Sequence, residues 1–146
     1  MAEASSSARP YAGDLTPAEA WRRLADDPTA KLVDVRTQAE WTYVGIPDLS
    51  ALGKQPLLVS WQIFPSMAQN PAFPSQVQAQ GIGPQDTVLF LCRSGVRSQA
   101  AAAAMTALGH ARCYNIADGF EGPPDEARHR GGRAGWKAAG LPWIQG

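Results

Sequence analysis

The run TVLFLC (Thr87–Cys92) is apolar at almost every position, and six residues later the chain becomes QAAAAAMTALG, closed by Gly109. A short continuous apolar run suits a strand buried on both of its faces. The alanine-rich run is built of strong helix formers, and its terminal glycine suits a helix stop. A buried strand that feeds a helix through so short a connection needs cover on both sides of its sheet. The chain is therefore expected to be α/β, with a central, mostly parallel sheet and helices on both faces.

The flanking segments fit that architecture. LTPAEAWRRLADDP opens with Thr16, Pro17 and Glu19 in capping-box spacing and stops at Pro28, which predicts a helix with Ala20, Trp21 and Leu24 on its apolar face. KLVDV (Lys31–Val35) and ARCYNI (Ala111–Ile116) read as strands, and PLLVSW (Pro56–Trp61) as a further one. EWTY reads as a helical turn followed by loop. The proline-rich stretch from Trp61 to Pro74 reads as irregular chain leading to a short helix at Gln76–Gln80. AGWKAAGLPW is expected to form a last helix, ended by Gly140 and Pro142, with Trp136 anchoring it to the core. Residues 1–13, rich in Ser, Ala and Gly, read as a loose tail, and residues 14–146 as one domain.

Composition narrows the function. Lys+Arg and Asp+Glu both number 13, so no net field draws the chain to nucleic acid or to an anionic membrane. No apolar run has the length of a membrane span, and MAEASSSARPYAG lacks the apolar core of a signal peptide. Two cysteines, Cys92 and Cys113, are too few for a disulfide framework and fit a reducing compartment, so a cytoplasmic protein is expected. The two histidines, His110 and His129, have no metal-type partner cluster, and no metal site is expected. His110 closes the alanine-rich helix, where it suits the C-terminal dipole.

Cys92 carries the chemistry. It ends a strand, where functional groups of open α/β sheets gather, and a helix begins just beyond it. Helix N-termini present unpaired N–H groups and partial positive charge, and a thiolate is stabilised there, more so beside Arg93 and Arg97. Gly95 allows a tight turn and close approach of a ligand. The backbone N–H groups of Arg93, Ser94, Gly95, Val96 and Arg97 form a cradle for a sulfur anion, and the guanidinium fork matches an oxyanion-bearing donor. A structural cysteine buried at a strand end is the alternative. It gives no reason for arginines on both sides of a glycine turn.

CRSGVRS resembles the active-site loop of the rhodanese-like domain, a sulfurtransferase fold. KLVDVRTQAEW is similar to that family's first strand and the acidic–aromatic turn after it, and CYNIADGFEG and GWKAAGLPW resemble its closing segments. The likeness runs from about Leu15 to Trp143. It implies that Cys92 takes the outer sulfur of thiosulfate or another persulfide donor. Cys92 would hold that sulfur as a persulfide and hand it to cyanide, a thiol or a protein acceptor, with no cofactor. Asp34, Arg36 and Ser98 are then expected to support the loop. Two other readings remain: a non-catalytic rhodanese-type binding module, and a phosphatase or arsenate reductase. The last is disfavoured because Arg97 follows Cys92 after four residues, whereas the phosphatase loop is C-x5-R and would need arginine where Ser98 stands.

Some features depart from the pattern. YVGIPDLSALG has no histidine where the family often reads GHIPGA, and both Trp61–Pro74 and Gly119–Trp136 are long. His129 and Arg130, with Arg128, are candidate lid residues that could face an anionic donor. Cys113 could serve as a resolving thiol, but an inert buried strand position is favoured. None of these patterns sets an oligomeric state.

Overall fold

The computed structural model describes residues 10–63, 66–123, 126–127, 130 and 134–145. Five short segments build the sheet, with the first and third of them at its edges: β1 (Gly13–Leu15), β2 (Lys31–Asp34), β4 (Leu57–Leu58), β7 (Val88–Leu91) and β8 (Cys113–Ile116). They lie in the order β1-β8-β7-β2-β4, and every neighbouring pair is parallel. The helices are α1 (Pro17–Asp26), α2 (Gln38–Tyr43), α3 (Phe73–Ala79) and α4 (Val96–Ala107). Short two-residue strands make the remaining pairs, β3 (Ile46–Pro47) with β9 (Trp143–Ile144) and β5 (Gln62–Ile63) with β6 (Ala68–Gln69).

Alternation along the strands divides the core into two layers. Val33, Val88, Phe90 and Cys113 pack on Phe73 and Val77 of α3 and on Ala101, Ala102 and Met105 of α4. Leu32, Leu89, Leu91 and Ile116 pack on Ala20 and Leu24 of α1, with Leu49, Phe120 and Trp136. Both faces of the sheet are thus covered, as expected. The small side chains of Ala101 and Ala102, both fully buried, let α4 lie close against β7 and β8. At α1 the capping box forms as its spacing implies: Thr16 Oγ1 accepts from the Glu19 N–H at 3.1 Å, and Glu19 Oε1 accepts from the Thr16 N–H at 2.8 Å.

Three segments differ from expectation. At the end of the expected tail, the Ala12 N–H donates to Cys113 O at 2.9 Å and Gly13 opens β1, while residues 1–9 lie outside the described residues. Three residues carry no readable period, and β1 exists because the edge of β8 offers it partners. The proline-rich stretch contains the β5–β6 hairpin, and its helix starts earlier than expected, at Phe73. The expected last helix does not form: the chain makes turns over Trp136–Gly140 and then pairs β9 with β3. So few residues between two glycines cannot stabilise a free-standing helix. Trp136 instead buries itself completely, and its Nε1–H donates to Pro142 O at 2.7 Å. No helix among the described residues is long and apolar enough to cross a membrane.

Trp136→Ala should destabilise the fold by about 3–5 kcal/mol, the usual cost of emptying a large aromatic site. Trp136→Phe should cost less, since only the indole bond and part of the volume go. Urea midpoints of the two variants against wild type check the ranking.

Candidate active site

The apolar pattern of β7 carries the chain to the carboxyl edge of the sheet, where Cys92 stands at the floor of a loop. Cys92 is 1% exposed, whereas Arg93 and Val96 project from the rim. Gly95 is the N-cap of α4, at φ 109°, a backbone that favours glycine. Its N–H donates to Cys92 Sγ at 3.0 Å. The first-turn N–H groups of α4 have no partners within the helix, so the sulfur lies where the helix presents partial positive charge. Ser98, fully buried on that first turn, places Oγ 3.2 Å from the same sulfur. Ser98 Oγ also makes a very short contact with Asn115 Oδ1 on β8.

The turn after β8 clasps the loop, and the end of β2 supports that turn. The carbonyl of Cys92 accepts from the Phe120 N–H at 2.7 Å, and that of Arg93 accepts from Glu121 and Gly122 at 3.0 and 3.1 Å. Gly119 makes this clasp possible: at φ +63°, a Cβ there would lie 2.3 Å from Cys92 O and 2.6 Å from Arg93 O. The Phe120 ring in turn stacks on Arg36, whose Cζ is 4.2 Å from the ring centre. Arg36 and Asp34 form a fully buried pair, with Nη2 to Oδ2 at 2.6 Å and Nε to Oδ1 at 2.9 Å, and Nη2 also donates to Gly45 O at 2.7 Å. Asp34 and Arg36 therefore reach the loop through Phe120 and β3's approach, not by touching the sulfur.

Arg97 does not stand open. It makes a two-pronged bond to Glu40 on α2, with Nη1 to Oε1 at 2.7 Å and Nη2 to Oε2 at 2.9 Å. Glu40 is the third residue of a capping box with Thr37, so the acidic–aromatic turn after β2 fixes its position. Burial pushes the Glu40 carboxyl up, but the Arg97 guanidinium and the Thr37 N–H outweigh it and hold the group below its ordinary value. Burial works against the charge of Arg97 as well, and Glu40 overcomes it, keeping the guanidinium more firmly protonated than usual. Sequence reading missed Glu40, Phe120 and Asn115 as site residues. A capping box two residues after a strand end was the only visible sign of Glu40.

The remaining expected residues fall outside this cluster. Cys113 pairs with Val88, four positions before Cys92 on the adjacent strand, which separates the two by roughly 13 Å. That is too far for a disulfide. Burial, only partly offset by Thr106, pushes the Cys113 thiol up to about 11, the state of an inert core group. Arg130 Nη1 donates to Gly122 O at 2.8 Å, beside the clasp on the loop. His129 and Arg128 lie outside the described residues. Among the described residues, no three His, Cys, Asp or Glu side chains come together as metal ligands would.

A parallel five-stranded sheet that presents a cysteine cup at the N-terminus of a buried helix is the arrangement of a rhodanese-like domain, and the comparisons agree. A chloroplastic rhodanese-like domain-containing protein 4 of Arabidopsis thaliana is 28% identical over 127 residues; the match covers 86% of this chain and 24% of that protein. The crystal structure of Rv0390 from M. tuberculosis superposes with a TM-score of 0.85 at 48% identity, covering 93% of this chain and 99% of that one. The polysulfide-sulfur transferase of Wolinella succinogenes shares the fold, with a TM-score of 0.62 at 20% identity, covering 91% of this chain and 78% of that one. The family model described as STR4 middle domain matches residues 13–146, and the chain belongs to that family.

Two substitutions test this geometry. Gly119→Ala should displace the Cys92–Arg93 carbonyls and lower the reactivity of Cys92 toward a small alkylating reagent at least tenfold, with a folded circular-dichroism spectrum; unchanged reactivity would contradict the clasp. Glu40→Gln should cost about 1–3 kcal/mol at neutral pH. Because the folded-state carboxyl lies below its ordinary value of 4.5, the contribution of Glu40 is complete above that pH and is lost as the pH falls further. Urea midpoints should therefore separate wild type from Glu40→Gln at pH 7 and converge in strong acid.

Proposed function

We propose that this protein is a sulfurtransferase that carries sulfane sulfur on Cys92. The observation that supports this most is the cup itself: a sulfur atom at a helix N-terminus, receiving the Gly95 N–H, beneath a rim that carries Arg93. In the first half-reaction the Cys92 thiolate attacks the outer sulfur of thiosulfate. A new S–S bond forms, the donor's own S–S bond breaks, and sulfite leaves with the bonding pair. The persulfide anion then rests against the loop N–H groups, which stabilise charge without reorganising. In the second half-reaction an acceptor attacks the terminal sulfur, and Cys92 leaves as thiolate. Cyanide becomes thiocyanate; a thiol becomes a persulfide. One difficult transfer is thereby divided into two easier ones.

Two features support sulfur over a phosphoryl group as cargo. Arg97 follows Cys92 after four residues, so the cup is short. Arg97 is also engaged by Glu40, which suits a brace more than a phosphate clamp. The donor in the cell would be thiosulfate or a protein or small-molecule persulfide, and the acceptor a thiol, in a reducing compartment such as the cytoplasm.

Intact mass after incubation with thiosulfate should rise by one sulfur in wild type, fall back with cyanide, and stay constant in Cys92→Ser. A wild type that takes up no sulfur from thiosulfate or from a small-molecule persulfide would instead favour a binding module. Arg93→Ala should lower kcat/KM for thiosulfate by about tenfold and spare an uncharged persulfide donor, since a charge-assisted contact is lost only with the anion. Arg97→Ala should lower both alike, because its role is to hold the loop. A selective loss with Arg97→Ala would return it to the anion-binding role.

A further inference from the structure

The contact chain behind Cys92 runs one hydrogen short once the sulfur is an anion. Ser98 Oγ lies 3.2 Å from Cys92 Sγ and within a very short contact of Asn115 Oδ1. A hydroxyl carries one hydrogen and two lone pairs, so it can donate to only one of these neighbours. The amide of Asn115 cannot turn over to relieve this. Its Nδ2 donates at 3.0 Å to Asp14 Oδ1, an oxygen that only accepts, and this fixes Oδ1 toward Ser98. Ser98 and Asn115 are 0% and 1% exposed, so bulk water does not supply the missing donor. Either contact can hold that hydrogen, but not both at once.

We propose that Asn115 is a positioning residue for the Cys92 sulfur, competing with it for the single hydrogen of Ser98. With the thiol, Ser98 accepts from sulfur and donates to Asn115. When sulfur becomes an anion, the Ser98 hydroxyl turns to donate to it, and Asn115 Oδ1 gives up its donor inside the core. Leaving a buried carbonyl oxygen bare has a cost, so part of the stabilisation of the anion is withdrawn. For sulfur transfer, which rests on the reading above, the consequence is a persulfide held less tightly than the loop N–H groups alone would hold it, and released more readily to an acceptor. No covalent step and no additional reagent is involved; one O–H rotates.

The test is the rate at which iodoacetamide alkylates Cys92 at neutral pH, read by mass on the Cys92 peptide. Asn115→Leu has nearly the shape of asparagine and no acceptor, so Ser98 serves the sulfur alone; alkylation should be about tenfold faster. Ser98→Ala removes the donor, and alkylation should be about tenfold slower. Asn115→Leu also removes the bond to Asp14, and loosening there would speed alkylation as well; the Ser98→Ala background separates the two, because loosening persists in it and competition for the Ser98 hydrogen does not. Asn115→Leu in the Ser98→Ala background should change nothing further. An unchanged or slower rate in Asn115→Leu overturns the proposal; should that variant not fold, an unchanged or faster rate in Ser98→Ala does so by itself. The readout needs no sulfur donor. A protein that alkylates as described but never gains sulfur would sink the sulfurtransferase reading and leave this one standing.

Discussion

The buried pair Asp34–Arg36 is the contact on which the carboxyl edge of the sheet depends. Both side chains are fully removed from water, which costs several kcal/mol per ion before any contact is made. The cost is offset because Asp34 accepts three side-chain contacts and the Arg36 N–H, while Arg36 also donates to Gly45 O. Arg36 then stacks on Phe120, whose own N–H clasps the carbonyl of Cys92. A charge that must be satisfied in the core thus ties β2, the approach to β3 and the turn after β8 to one point beneath the reactive loop. Without either partner the other would be a bare buried charge, which is why this edge has one arrangement and not several.

A second ion pair works on the opposite flank of the loop and obeys different physics. Glu40 and Arg97 retain side-chain exposures of 18% and 16%, so their desolvation is only partial and their mutual attraction outweighs it. Their value is geometric: a planar fork and a carboxylate meet in one orientation, and α2 is thereby locked to the first turn of α4. Between the two pairs, among the described residues, the Gly95 N–H and the Ser98 hydroxyl contact the Cys92 sulfur, and the Asn115 amide stands behind that hydroxyl.

Much of this was legible in the residues. The apolar run ending on Cys92, the alanine helix, the Thr16 capping box and the spacing of Arg93, Gly95 and Arg97 are local signals, each set by the preferences of a few neighbouring side chains. The β1 edge strand, the β5–β6 hairpin and the turns that replace the expected last helix were not legible. Each is too short to carry a period of its own and exists because a partner elsewhere offers hydrogen bonds or a cavity, as Pro142 and the core do for Trp136. The partners of the site residues fall in the same class. Arg97 reads as an anion-binding group until α2 brings Glu40 against it.

The sequence by itself determined that this chain is an α/β domain with a cysteine at the junction of a buried strand and a helix, because strand, loop and helix are contiguous there and their chemistry is local. Only the tertiary structure decided what surrounds that sulfur. Glu40, Phe120, Asn115 and Asp14 come to it from α2, from the turn after β8 and from two strands, separated from Cys92 by up to 78 positions. Parallel strands align their ends at one edge whatever their distance along the chain, and it is that alignment which assembles the site.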